Sequence, residues 1–252
     1  MIDSHIHLHL YDEVEARIEK WREYGVEKVV AVSSDLASSY RTLELKERFP
    51  DFILAGVGFH PEKPIPPRAD IEEWKCLLHV ERDNISCVGE IGLPHYELGT
   101  LPETLAHHAE VFKEYIAAAR TYRLPVALHA VHDKAAVAYD ILQEEAPRLP
   151  AHFHWLKAPT DVVKKMARAG YFISVTPEVC YRERDQRLAA LIPDDQLLIE
   201  TDGPWPFRGP FSGELTTPLL LKKVISFLAG QRKEERDSLR AQLAKNALRL
   251  YV

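Results

Sequence analysis

The sequence has little cysteine, and the few cysteines present are not spaced as metal ligands or disulfide partners. Its 252 residues include only Cys76, Cys87 and Cys180, an odd number with no repeated interval. A disulfide framework needs paired cysteines, and a thiolate zinc site needs closely spaced ones. The sequence therefore argues against both.

Long apolar segments are also absent. No apolar run approaches the ~18 residues that a membrane-spanning helix needs, and the chain leads from Met1 directly to Asp3 and two histidines instead of a signal segment. We expect a cytoplasmic protein with no membrane partner. Nothing in the sequence indicates an obligate protein partner.

Positive charge and glycine-rich loops are scarce as well. The formal net charge of -6 disfavours non-specific binding to nucleic acid, which would need a broad basic surface, so a polyanionic substrate would have to be held locally. Neither a Gly-x-Gly-x-x-Gly motif nor a Walker sequence follows any apolar run. The sequence therefore predicts no nucleotide cofactor, and it lacks the phosphate loop that a doubly wound open sheet usually carries.

Short β-branched runs alternate with longer amphipathic stretches along the whole chain, which is typical of repeated βα units. The pattern predicts a single-domain (β/α)8 TIM barrel over residues 1–252, with its active site at the C-terminal rim of the strands. Helices are expected at 102–122, 219–228 and 234–250, among others, and another is expected to start at Thr160. The predicted strands are residues 1–5, 28–33, 53–58, 86–91, 126–129, 151–154, 171–175 and 197–200.

Residues that commonly bind metals lie at or just beyond the C-terminal ends of these strands. In a barrel this rim is where residues distant in sequence meet, so the sequence predicts a metal site there. The residues are His5, His7, His60, Glu90, His129, His154 and Asp202.

Individual positions support this interpretation. His5 and His7 lie two residues apart, so an extended strand places them and Asp3 on one side. Glu90 lies in an apolar strand, where an unpaired carboxylate would cost several kcal/mol, and its two oxygens could bridge two ions. His152 and His154 flank Phe153 and point the same way. We favour His154 as the ligand because it lies nearer the strand end.

Four imidazoles and two carboxylates are too many for one tetrahedral ion. The set therefore predicts two divalent ions, with Zn²⁺, Mn²⁺, Ni²⁺, Mg²⁺ and Fe²⁺ all open, bound by His5, His7, Glu90, His129, His154 and Asp202. Such a pair activates a water molecule for hydrolysis. Asp202 could then act as the general base and Glu90 as the catalytic bridge. We expect Asp3 and Glu200 to lie beside the ligands.

In their order along the chain, these motifs resemble the TatD family of metal-dependent hydrolases. The matching segments are residues 3–7, 58–61, 89–93 and 200–204, together with His129, His154 and the helix at 246–250. The resemblance implies one ion on His5, His7, Glu90 and Asp202, and a second on Glu90, His129 and His154. It also implies a deoxyribonuclease, often acting on single-stranded DNA from a 3′ end, with His60 near the scissile phosphate.

Three segments depart from the family pattern where substrate would lie. They are Pro94-His95-Tyr96, Val131 in place of an arginine, and residues 155–159 after His154. Two alternatives to DNA cleavage therefore stay open: a metal-dependent hydrolase of a small amide, lactone or ester, and a metal-binding barrel that has lost its activity. If DNA is the substrate, bases could stack on Trp155, Trp205 and Phe207, and phosphates could meet Lys157, Arg182, Arg184 and Arg208.

Overall fold

The computed structural model describes all 252 residues and contains eight parallel strands in sequential order. Each strand pairs in parallel with the next. The strands are β1 (Ile2–Ile6), β2 (Lys28–Ala31), β3 (Ile53–Val57), β4 (Ile85–Gly92), β5 (Val126–His129), β6 (Ala151–Phe153), β7 (Phe172–Val175) and β8 (Leu197–Ile199).

The first and last strands meet, so the sheet curls into a nearly closed barrel. The Asp202 N–H donates to the His5 carbonyl at 2.9 Å, the His7 N–H donates to the Gly203 carbonyl at 2.8 Å, and Ile6 forms a parallel bridge with Gly203. The predicted TIM barrel is confirmed, and every predicted strand is present with ends shifted by at most two residues.

Helices separate the strands and form the outer layer of the barrel. They are α1 (Val14–Glu23), α2 (Leu36–Arg48), α3 (Arg68–Val80), α4 (Leu105–Tyr122), α5 (Asp133–Glu145), α6 (Thr160–Arg168), α7 (Glu183–Leu191), α8 (Leu221–Arg232) and α9 (Arg236–Tyr251). None of them is both long and apolar enough to span a bilayer.

Helix α4 shows how local capping sets an element boundary. The expected start at Pro102 is wrong by three residues, because the Thr104 hydroxyl accepts a hydrogen bond from the His107 N–H and caps the helix there. The start of α6 at Thr160 is confirmed. Helices α8 and α9 begin two residues after the predicted 219 and 234, and a short 3-10 turn precedes α8.

The core lies between the barrel and its helices. Helix α3 buries Ile71, Trp74 and Leu78 at the three- and four-residue spacing of one helical face. Trp74 is fully buried and contacts Phe59 and Tyr115 edge-on, with ring centroids 5.9 and 5.2 Å away. Such packing holds the strands rigid, so the side chains at their C-terminal ends have fixed positions.

The junction of β4 and β5 requires a glycine. Gly92 pairs with His129 and has φ +149°, a backbone conformation that L side chains rarely adopt. A Cβ atom at this position would lie 2.0 Å from the His129 carbonyl oxygen. The glycine therefore permits the close approach that sets His129 beside β4.

Candidate metal centre

Six of the predicted residues converge at the C-terminal end of the barrel. His5 lies in β1 and His7 just after it, Glu90 lies in β4, and His129 ends β5. His154 directly follows β6, and Asp202 lies three residues beyond β8. All six are buried, with 0–7% of each residue exposed. The structure therefore assembles one site from five strands.

The two oxygens of Glu90 face different pairs of imidazoles. Oε2 lies 3.1 Å from His5 Nε2 and 3.3 Å from His7 Nε2. Oε1 lies 2.8 Å from His154 Nε2 and 3.0 Å from His129 Nδ1. A carboxylate placed in this way can bind one cation with each oxygen.

Asp202 completes the side that contains His5 and His7. Its Oδ1 lies 3.3 Å from His7 Nε2 and 3.7 Å from His5 Nε2. This oxygen is buried and accepts no hydrogen bond of acceptable angle. Since a buried carboxylate oxygen without a partner is costly, the geometry leaves Asp202 Oδ1 free to bind a cation.

The electrostatics of the site depend on close contacts between imidazoles and carboxylates. The rings of His5 and His154 stack with centroids 3.9 Å apart, and burial together with this neighbour lowers the pKa of His5. Burial alone would raise the pKa of Glu90, but the imidazoles of His60, His154 and His5 hold it well below its usual range. Burial alone would lower the pKa of His7, but the close carboxylates of Asp202 and Glu90 raise it to about 9.

These residues fit divalent cations. Imidazole nitrogens and carboxylate oxygens without thiolates are the donor set of Zn²⁺, Mn²⁺, Ni²⁺ and related ions. Two sets of three donor atoms that share Glu90 lie within 4.8 Å of one another, namely His5, His7 and Glu90, and His60, Glu90 and His129. A further set, His5, His154 and Asp202, joins residues from both sides of Glu90.

Comparison with known proteins shows the family to which the chain belongs. The family model described as "TatD related DNase" matches residues 2–252. The chain belongs to the TatD family. The family places it among the metal-dependent hydrolases, and the resemblance inferred from the motifs is confirmed.

Individual TatD relatives match over nearly their full length. An "uncharacterized metal-dependent hydrolase" from Haemophilus influenzae is 32% identical over 100% of this chain and 99% of its own length. The "3'-5' ssDNA/RNA exonuclease TatD" of Erwinia tasmaniensis is 28% identical over 93% of this chain and 92% of its own. The crystal structure of YJJV, a TatD homolog from Escherichia coli K12, superposes with a TM-score of 0.87 at 24% identity and covers 100% of this chain and 97% of the homolog, which shows a shared fold.

The structure distinguishes His154 from His152 in this TatD barrel. His154 points to the rim, where its Nε2 contacts Glu90, whereas His152 lies deeper in the barrel. The Nδ1 of His152 lies 2.7 Å from the hydroxyl of Tyr251, and its Nε2 lies 3.5 Å from Glu200 Oε2. His154 is thus in a position to bind a metal, and His152 belongs to the floor beneath the site.

Asp3 and Glu200 hold the segments next to the site. Asp3 accepts hydrogen bonds from the backbone N–H and the hydroxyl of Thr201, next to Asp202, and burial raises its pKa to about 8 against the effect of these bonds. Glu200 accepts hydrogen bonds from the Trp155 N–H at 2.7 Å and from the Ser174 hydroxyl at 2.6 Å. Its Oε1 also lies 3.4 Å from His154 Nδ1.

His60 lies at the edge of the site that faces solvent. Its side chain is 20% exposed, and its Nε2 lies 3.4 Å from Glu90 Oε1. Burial lowers the pKa of His60 to about 3, so the ring is neutral at pH 7. Since Nδ1 accepts a hydrogen bond from the Glu62 N–H at 3.1 Å, the proton of the ring is on Nε2.

Glu62 belongs to the site but is missing from the sequence prediction. Its Oε1 lies 3.0 Å from His129 Nε2, and its two oxygens also accept hydrogen bonds from the N–H groups of His95, Tyr96 and Glu97. The only sequence signal is a carboxylate two residues after His60 in a proline-rich stretch. That signal is weak because Glu62 lies in a loop and not at a strand end.

Proposed function

We propose that this TatD-family chain is a two-metal phosphodiesterase that cleaves DNA, with single-stranded DNA as its substrate. The observation that carries the proposal is the placement of Glu90, whose two oxygens face two separate imidazole pairs. One of the similar relatives is named a single-stranded DNA and RNA exonuclease, which supports this choice of substrate.

The proposed ligands divide between the two sides of Glu90. His5, His7, Glu90 and Asp202 would hold one ion. Glu90, His129 and His154 would hold the other. When bound, two divalent ions supply Lewis acidity at the scissile phosphoryl group and lower the pKa of a water molecule.

Asp202 is the proposed general base. Burial alone would raise the pKa of its carboxyl, but the close contact with His7 and the charge of the neighbouring imidazoles lower it. The carboxylate is therefore ionised at neutral pH and can accept a proton from an attacking water. Asp202 lines the solvent-facing cavity, which supports this role.

His60 is the proposed donor to the scissile phosphate. The ring is neutral and carries its proton on Nε2, as the hydrogen bond from the Glu62 N–H shows. A neutral N–H at the rim can donate to a phosphate oxygen and orient it without forming a fixed ion pair. Because His60 is partly exposed, substrate can reach it.

Cleavage of labelled single-stranded DNA tests the proposal. Protein loaded with Mg²⁺, Mn²⁺ or Zn²⁺ is expected to shorten the strand, and Asp202→Asn is expected to lower kcat about 10²- to 10⁴-fold, the usual contribution of a general base. Absence of cleavage with all three metals, or equal rates for both proteins, would contradict it.

A small ester, lactone or amide is the second candidate substrate. The cavity above the site has a volume of about 330 Å³, and Val131 forms part of its wall. That volume is at the lower end of small-molecule pockets. Metal-dependent turnover of an ester or lactone panel without DNA cleavage would favour this candidate, and bound metal with no hydrolysis of any substrate would indicate an inactive barrel.

A further inference from the structure

Lys157 lies at the mouth of the cavity and has no carboxylate partner. Its Nζ lies 4.3 Å from the centroid of the Trp155 ring and 5.5 Å from that of the Tyr96 ring, and it donates to the Tyr96 hydroxyl at 2.9 Å. No ion pair within 4.0 Å neutralises it. Aromatic rings hold an ammonium group in place without neutralising its charge.

Two of the other cations named from the sequence, Arg182 and Arg184, differ from Lys157 because they form ion pairs. Arg182 pairs with Glu178 at 3.2 Å, and Arg184 pairs with Glu178 and Asp185, each at 2.9 Å. Two of the four cations expected to meet phosphates are therefore already neutralised. Lys157 is the lysine that lines the cavity containing Asp202 and His154.

Backbone hydrogen bonds fix the position of Lys157 relative to the metal centre. Trp155 directly follows His154, adopts φ +37°, and donates its N–H to Glu200 Oε1 at 2.7 Å. The indole N–H of Trp155 donates to Glu178 Oε2 at 3.1 Å. The Lys157 carbonyl accepts the His132 N–H at 2.5 Å. The cation and its aromatic support are thus held on the same loop as a proposed metal ligand.

The cavity also offers surfaces on which a base can stack. Trp205 and Tyr96 line it and are 49% and 53% exposed. Phe207, which the sequence also suggested, is 5% exposed and packs against Trp155, so it is not available to a ligand. Half-exposed rings beside a cation are the usual elements of a single-strand binding surface.

We propose that Lys157, supported by Trp155 and Tyr96, binds the phosphate group next to the scissile one, while Trp205 stacks against a base of the same strand. This inference rests on the proposed function, since it assigns a nucleotide phosphate to the cavity of that site. The buried carboxylates of the site and the net charge of -6 disfavour a polyanion. A local cation without a counter-ion offsets this repulsion where the strand enters.

The first test compares Lys157→Met with Lys222→Met. Methionine keeps an unbranched side chain over the ring and removes the charge. Lys222 is a matched control because its Nζ also lies over an aromatic ring, 5.4 Å from the centroid of Tyr24, in a cavity that contains none of the site residues.

We expect Lys157→Met to lower kcat/KM about 10-fold on a single-stranded oligonucleotide. We expect a change below about 2-fold on bis(p-nitrophenyl) phosphate, which has no second phosphate for Lys157 to bind. The slope of log kcat/KM against log salt concentration should become about 0.7 shallower, the value for one lost phosphate contact on a single strand. Equal losses on both substrates, or identical behaviour of the two variants, would overturn the proposal.

A binding measurement separates this proposal from the proposed function. Quenching of tryptophan fluorescence reports on Trp155 and Trp205, because Trp21 and Trp74 are buried. Thymidine 5′-monophosphate should bind Lys157→Met about 10-fold more weakly than wild type or Lys222→Met, whereas uncharged thymidine should bind all three alike. If these affinities are observed but no DNA is cleaved, the proposed nuclease activity is refuted and the proposed phosphate site is supported. If DNA is cleaved but all three proteins bind the monophosphate with equal affinity, the proposed phosphate site is refuted and the proposed nuclease activity is supported.

Discussion

His129 and Glu62 are joined by a contact of 3.0 Å between Nε2 of the imidazole and Oε1 of the carboxylate. The other nitrogen of the same ring, Nδ1, lies 3.0 Å from Glu90. A carboxylate that accepts a hydrogen bond from the N–H on the far side of an imidazole fixes both the orientation and the tautomer of the ring. With its N–H directed to Glu62, His129 would offer Nδ1 as the metal ligand.

Substitution of Glu62 by glutamine is expected to weaken the binding of one metal ion. The amide lacks the charge that holds the His129 N–H, and loss of such a partner usually lowers metal affinity about 10- to 100-fold. Competition with a chromophoric chelator measures the affinity. Glu73→Gln is the control, since Glu73 accepts a hydrogen bond from the Tyr40 hydroxyl on the surface. Unchanged affinity in Glu62→Gln would show that His129 needs no such support.

Substitution of Glu90 by alanine is expected to empty both metal sites. Each oxygen faces a different imidazole pair, so one substitution removes a ligand from both sides. Metal content measured by mass spectrometry should fall from two equivalents to below one. Two retained equivalents would contradict the assignment of Glu90 as a bridge.

Substitution of Gly92 by alanine is expected to destabilise the fold by about 2–4 kcal/mol. The new Cβ atom would meet the His129 carbonyl, and φ +149° is strained for alanine. Chemical denaturation measures the loss. Gly99→Ala is the matched control, because no atom lies within 4 Å of a Cβ there, and it should change stability by less than about 0.5 kcal/mol. Similar effects at the two positions would refute the steric argument.

Asp35 should give the protein a pH-dependent stability in acid. It caps α2 by accepting a hydrogen bond from the Ser38 N–H, and it pairs with Lys63 at 2.8 Å. Burial alone would raise its pKa from 3.8, but the bonds with Lys63 and Ser38 lower it to about 2. A lowered pKa in the folded state stabilises the protein above the unfolded value of 3.8, and this contribution is lost as the pH falls through about 2.

Two substitutions of Asp35 distinguish the contribution of the helix cap to stability from the contribution of the carboxylate charge. Asp35→Ala removes the cap and should cost about 1 kcal/mol. Asp35→Asn keeps a capping oxygen and removes the titration, so its stability difference from wild type should be constant above pH about 5 and shrink below pH about 4. The difference is small, because 46% of the Asp35 side chain is exposed. Urea unfolding at several pH values measures it, and a difference unchanged down to pH 3 would contradict this account.

The sequence predicts the barrel because its signals are local and repeated. Each strand is a short apolar run between amphipathic stretches. Eight such runs in succession predict a barrel of eight sequential strands, and the residues at the end of each run are then expected at the C-terminal rim. The ends of elements depend on single hydrogen bonds instead. The Thr104 hydroxyl moves the start of α4 from residue 102 to Leu105, and the composition of that segment does not reveal this.

The sequence indicates the position of a side chain in the candidate site where that side chain lies at or near a strand end. His5, Glu90 and His129 could be placed in this way. Glu62 and Tyr251 could not, because one lies in a loop and the other on α9, and each reaches its histidine through tertiary contacts. Periodicity along the chain carries no information about such contacts.

Anomalous X-ray diffraction from crystals grown with Zn²⁺ or Mn²⁺ shows whether Glu90 bridges two cations. We expect two anomalous peaks about 3.5–4 Å apart, one beside His5 and His7 and the other beside His129 and His154, with one Glu90 oxygen on each. A single peak, or two peaks that Glu90 does not touch, would contradict it.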